Sequence, residues 1–126
     1  MAERVLILDD EPDFLAFAQA AMAGEGHELT TLNDPRRLPD MMEEFAPTVI
    51  VLDIIMPGLD GIEIITWLAK TGFEGRIVLI SGFNPQYIDV AEKLASGKGL
   101  GGIVALRKPI SPDKLRRAVS GDYIGM

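Results

Sequence analysis

The chain has 126 residues, with 19 acidic side chains against 12 basic, a net charge of −7 and no cysteine. Its length suits one domain with a real core and leaves no room for a second, effector domain. The acidity argues against non-specific nucleic-acid binding, because no Lys/Arg cluster is present to replace phosphate counterions; the missing thiols exclude disulfides, thiolate catalysis and cysteine-rich zinc sites, and the lone His27 excludes a histidine-built metal centre.

In chain order, the run Val5-Leu6-Ile7-Leu8 reads as a first strand, apolar on both faces as expected of a buried parallel strand. It begins close to Met1 with neither a basic nor an apolar leader, and no later run reaches the length of a membrane span. A soluble cytoplasmic protein with no membrane contact is therefore expected. Phe14, Phe17, Ala18 and Ala21 have helical spacing, and Glu28–Leu32 reads as a second strand, nearer an edge because of Thr30 and Thr31. Pro35 and Pro39 delay a short second helix carrying Met41, Met42 and Phe45, the two methionines as core filling.

Val49-Ile50-Val51-Leu52, Ile77-Val78-Leu79-Ile80 and Val104-Ala105-Leu106 give three further strands. Helices follow them at Ile62, Ile65 and Leu68, at Ile88, Ala91 and Leu94, and at Leu115, Ala118 and Val119. Lys114, Arg116 and Arg117 form merely the basic face of the terminal helix. Glu11, Asn84 and Ser111 each precede a proline and are polar cap candidates, while Gly24, Gly26, Gly72 and Gly97 mark helix stops. The implied fold is α/β: a doubly wound, five-stranded parallel sheet with helices on both faces, (βα)5 and flavodoxin-like, as a single domain over residues 1–126.

Asp9, Asp10, Asp53, Ser81 and Lys108 each stand where an apolar run stops. In an open parallel sheet the carboxyl ends of the strands share one edge, so these residues are expected to line one pocket. Three carboxylates there repel by up to about 4 kcal/mol per close pair at an effective dielectric near 20, and they need a cation. A hard divalent ion with oxygen ligands answers that need; Mg²⁺ typically takes one or two carboxylates, keeps waters and bridges to phosphate.

Other residues have plainer readings. Asp60 belongs to turn chemistry, Glu11 to a solvated first turn, His27 to an exposed structural turn, and Trp67 to helix packing. Gly97 to Gly102 is glycine-rich but follows a helix and enters a strand, the reverse of a phosphate-binding loop.

Taken together, Asp9-Asp10-Glu11-Pro12, Asp53-Ile54-Ile55-Met56-Pro57-Gly58, Ser81-Gly82 and Lys108-Pro109, in this order and each after an apolar strand, resemble the receiver domain of two-component response regulators. The resemblance covers essentially the whole chain. It implies that Asp53 accepts a phosphoryl group from a histidine kinase or histidine phosphotransfer protein, with Lys108 and Ser81 contacting the phosphoryl oxygens. It also implies Mg²⁺ held by Asp10, Asp53 and the backbone carbonyl of Ile55, with Asp9 acting mainly through water, a cis Lys108–Pro109 peptide, and output to a downstream protein partner or effector domain.

Several features depart from the family's pattern. Ala105 replaces the usual aromatic three residues before the lysine, which removes the ring that normally reports the state of the hydroxyl. The segment from Ser81 to Lys108 is longer than usual. These two features keep open a phosphorylation-independent interaction module, against which the complete acidic set argues. An aspartyl-phosphate phosphatase would need a second Asp two residues after Asp53, where this chain has Ile55. Ile55 and Phe83 are apolar where many receivers carry side chains that orient the hydrolytic water. A slowly hydrolysing phosphoaspartate is therefore expected: label on the phosphorylated protein should persist well beyond seconds in a chase, and faster loss would refute it.

Overall fold

The computed structural model describes residues 2–53, 55, 56, 59–81, 93 and 102–121. In order these form β1 (Arg4–Leu8), α1 (Pro12–Met22), β2 (Glu28–Leu32), a 3-10 turn (Pro35–Arg37), α2 (Leu38–Glu44), β3 (Val49–Asp53), the short strands β4 (Ile55–Met56) and β5 (Leu59–Asp60), α3 (Gly61–Thr71), β6 (Arg76–Ser81), β7 (Ile103–Arg107) and α4 (Pro112–Ser120). The expected helix around Ile88, its start at Asn84, the stop at Gly97 and most of the glycine-rich connection lie outside the described residues.

The main sheet is parallel throughout, in the order β2-β1-β3-β6-β7. The chain winds outward from β1 in one direction to β2 and in the other through β3, so the winding reverses between β1 and β3. In open α/β sheets that reversal opens a crevice at the carboxyl ends of the strands.

Strand pleating, with its period of two, sorts the core into two layers. Leu6, Leu8, Ile50, Leu52, Ile77 and Leu79 face α2 and α3 and pack with Leu38, Ile64, Ile65 and Leu68. Val5, Ile7, Val49, Val51, Val78 and Ile80 face α1 and α4 and pack with Ala18, Met22, Leu115, Ala118 and Val119. The four core positions of β1, Val5 to Leu8, are fully buried, as the continuous apolar run predicts. Met41, Met42 and Trp67 pack against the first layer, in agreement with their expected roles. Among the described residues no helix is long and apolar enough to cross a membrane.

Some expectations need correction. β7 was expected to be buried on both faces, yet of its residues only Leu106 is, because this strand is an edge of the sheet. After Asp53 the structure adds an element the sequence pattern does not show: Ile55 pairs with Asp60 and Met56 with Leu59 in a small antiparallel ladder, and α3 starts directly after it. His27 is half-buried rather than exposed, since its Nδ1 accepts the Glu3 backbone N–H at 2.9 Å and ties β1 to the approach to β2. Ser111 caps α4 as expected, its Oγ accepting the Lys114 N–H at 3.1 Å. The Glu11 side chain does not cap α1.

Gly75, at the entry to β6, is needed for a close approach. A Cβ there would collide with the Thr48 carbonyl oxygen and the tip of the Phe73 ring. That carbonyl accepts the Arg76 N–H at 2.9 Å and so cannot simply retreat. Gly75→Ala should cost about 1–3 kcal/mol, read as a lower urea midpoint at unchanged slope; an unchanged midpoint would refute the close approach.

Candidate functional site

The pleat that buries Val5 and Ile7 carries on to Asp9, and the one that buries Val49 and Val51 ends on Asp53. Both aspartates therefore reach the carboxyl rim on the α1/α4 side. Two backbone bonds extend the sheet by one residue at this rim: the Asp9 N–H donates to the Leu32 carbonyl at 3.1 Å, and the Lys108 N–H donates to the Ser81 carbonyl at 2.9 Å. Asp9 is fully buried and Asp53 is 6% exposed. The winding reversal between β1 and β3 is what sets them side by side.

Asp9 also starts α1. Its Oδ1 accepts the Glu11 backbone N–H at 2.8 Å, an Asx turn that leads the chain into α1, whose own N-terminus has no side-chain cap. Its Oδ2 is buried and has no hydrogen-bond partner among the described residues; it faces Lys108 Nζ at 3.6 Å. The same ammonium lies 3.5 Å from Asp53 Oδ2 and 3.5 Å from Glu11 Oε1. The Lys108–Pro109 peptide is cis, as the sequence resemblance implied. Carboxylate oxygens from Asp9, Asp10, Glu11 and Asp53 all come within 4.8 Å of one another, with Asp10 and Glu11 exposed and the other two buried.

Glu11 is thus more than the solvated acid expected: its carboxylate joins the cluster and pairs with Lys108. Its place beside Asp9 and Asp10 was the available signal. Phe14 was read merely as part of a packing face, yet its ring centroid lies 4.8 Å from Lys108 Nζ. Ser81, 1% exposed, closes β6 one register position beyond Ile80, the partner of Asp53. Ile55 sits in β4, immediately after the strand that ends on Asp53. The side chains of Ile55 and Asp60, and Phe83 altogether, lie outside the described residues.

The charges decide the protonation. Burial is the largest influence on Asp9 and raises its pKa; the Glu11 N–H and Lys108 oppose this, while Asp53 and Glu11 add to it, and the net effect lifts Asp9 from 3.8 to about 6. For Lys108 burial acts to lower the pKa, but Asp53, Asp9 and Glu11 outweigh it and hold the ammonium above the ordinary lysine value. Among the described residues one cation faces four acids, which leaves a surplus of negative charge, and a buried carboxylate oxygen has no hydrogen-bond donor. The set fits a hard divalent cation with oxygen ligands.

Comparison with known proteins gives the family. The model for the response regulator receiver domain matches residues 5–120. The chain belongs to that family. It is 27% identical over 119 residues to the alkaline phosphatase synthesis transcriptional regulatory protein PhoP of Bacillus subtilis, covering 94% of this chain and 48% of PhoP. It is 24% identical to sporulation initiation phosphotransferase F of the same organism, covering 94% of this chain and 92% of that protein. A CheY-like receiver domain protein from Methanospirillum hungatei superposes with a TM-score of 0.81 at 18% identity, covering 96% and 93% of the two chains, and so shares the fold. The receiver chain thus spans about half the length of PhoP.

The raised Asp9 pKa has a signed consequence for the metal-free protein. Between 3.8 and about 6 the folded state holds a proton that the unfolded chain releases, so this stabilisation is complete at low pH and is lost as pH rises through about 6. The loss is on the order of 3 kcal/mol. Urea midpoints measured in chelator from about pH 4 to pH 7 should fall more steeply for wild type than for Asp9→Asn; parallel curves would contradict the burial argument.

Proposed function

We propose that this receiver is a phosphoacceptor switch in which the Asp53 carboxylate takes a phosphoryl group from phosphohistidine on a histidine kinase or a histidine phosphotransfer protein. The observation that carries the reading is the shared ammonium: Lys108 Nζ sits between the buried Asp53 and Asp9 carboxylates at the crevice of the sheet. An Asp53 oxygen forms the new O–P bond as the P–N bond to imidazole breaks, and the imidazole leaves with the electron pair and takes up a proton. Such transfers need little covalent help; positioning and charge neutralisation do most of the work.

The residues divide that work. Lys108 makes a charge-assisted contact to the transferred oxygens once Asp53 has become the acyl phosphate, and the Ser81 hydroxyl donates to another. Asp10 and Asp53, with the backbone carbonyl of Ile55, would hold Mg²⁺, and Asp9 would act mainly through water. Bound there, Mg²⁺ supplies positive charge to the phosphoryl oxygens and relieves the repulsion among the acids. The likeness along most of its length to a protein named a phosphotransferase supports phosphoryl exchange between proteins.

Adding the phosphoryl group redistributes charge at the rim, and a partner-binding surface responds only through differential contacts in its two states. The output is a protein partner or an effector domain in the cytoplasm, with no direct nucleic-acid or membrane contact by this domain. Ala105, half-buried on the edge strand β7, implies a readout that does not use an aromatic at that position. A domain that binds partners without phosphorylation is the alternative, and the complete cluster at the rim disfavours it.

Incubation with acetyl phosphate and Mg²⁺ tests this directly by intact mass. Wild type should gain one phosphate, and Asp53→Asn none; chelation of Mg²⁺ should abolish the gain. Absence of any gain in wild type would overturn the reading in favour of the interaction module.

A further inference from the structure

Lys108 also has an uncharged aromatic neighbour at close range. Its ammonium lies 4.8 Å from the centroid of the Phe14 ring, well inside the range at which a cation is attracted to an aromatic face. Phe14 stands in the first turn of α1, where its N–H donates to the Glu11 carbonyl at 3.1 Å, so the Asx turn that starts the helix also fixes the base of the ring. Phe17, one turn on, braces it, with centroids 5.8 Å apart and planes tilted by 43°. Both rings pack against the α1/α4 core layer.

We propose that Phe14 is a positioning residue for phosphoryl transfer, holding the Lys108 ammonium over the rim rather than merely filling the flank of the core. This rests on the phosphoacceptor reading of Asp53. The three carboxylates around the ammonium pull in different directions: Asp9 and Asp53 draw it inward, whereas Glu11, whose side chain is 62% exposed, draws it toward solvent. Each of them also repels an incoming phosphoryl dianion. The ring attracts the ammonium without adding negative charge, so it biases Lys108 inward at no electrostatic cost to the group being transferred. With the ring gone, the flexible lysine stem can follow Glu11 outward, and the contact to the phosphoryl oxygens is lost for part of the time.

The test compares wild type, Phe14→Leu and Phe14→Tyr. Leucine keeps an apolar side chain of similar reach without a π face, and tyrosine restores the face. Two readouts are taken: the NMR shifts of the Lys108 ε-methylene protons, and the maximal rate of phosphorylation at saturating acetyl phosphate and Mg²⁺. A small phosphodonor removes any effect on partner docking. The ε-methylene signal should be shifted upfield by the ring in wild type and Phe14→Tyr and return to an ordinary value in Phe14→Leu. The maximal rate should fall about 3- to 10-fold in Phe14→Leu and recover in Phe14→Tyr. A wild-type rate in Phe14→Leu, or an ordinary ε-methylene shift in wild type, overturns the positioning role while leaving Asp53 as acceptor. Failure of wild type itself to gain phosphate overturns both.

Discussion

A single ammonium, Lys108 Nζ, lies within 3.6 Å of carboxylate oxygens from Asp9, Glu11 and Asp53, and the rest of the rim is organised around that crowding. At an effective dielectric near 20 the attractions to the buried Asp9 and Asp53 are each worth about 4–5 kcal/mol, the one to the exposed Glu11 is largely screened by water, and the acids repel one another, so one lysine cannot neutralise the set. The imbalance is visible in the buried Asp9, whose Oδ2 has no hydrogen-bond partner among the described residues and whose proton is held up to about pH 6. Buried groups left this way are costly to stability, and their retention is understandable where a further cation and a phosphoryl group complete the balance.

The hydrophobic core makes the crowding unavoidable. Pleating commits Val5 and Ile7, and Val49 and Val51, to the α1/α4 layer, and the same alternation carries Asp9 and Asp53 to the rim above it. Slipping either strand by one residue would flip every side chain to the other face and move apolar side chains out of one layer or the other. The positions of the two carboxylates are thus anchored by burial of the apolar side chains of β1 and β3, not by their own electrostatics. Lys108 arrives by a similar route, one residue past the β7 ladder, with its backbone N–H still bonded to Ser81.

On the phosphoacceptor reading proposed above, mutual repulsion at a preformed site is also what would allow the domain to work as a switch. A site already neutral would gain little from a phosphoryl group or an ion, and no difference between two states could follow. Here the lysine is shared among competing partners, so on that reading a new anion on Asp53 would change which of them it serves. The edge strand β7 carries Lys108 just past its end and Ala105 within it, so a displacement of the lysine would be felt on a surface already half-open to contact.

Much of this was legible in the sequence. Continuous apolar runs specified buried parallel strands, helical spacing between them specified the alternation, and the polar residue ending each run identified Asp9, Asp53, Ser81 and Lys108, because the requirement to bury a run of apolar side chains is local in sequence. The edge character of β7, the half-buried His27 and the hairpin of β4 and β5 were not legible, since each depends on which element lies alongside. Nor could the sequence assign the Glu11 carboxylate to Lys108, or set the Phe14 ring beside that ammonium. Those contacts join residues nearly a hundred positions apart, and only the winding of the sheet and the direction of α1 bring them within reach.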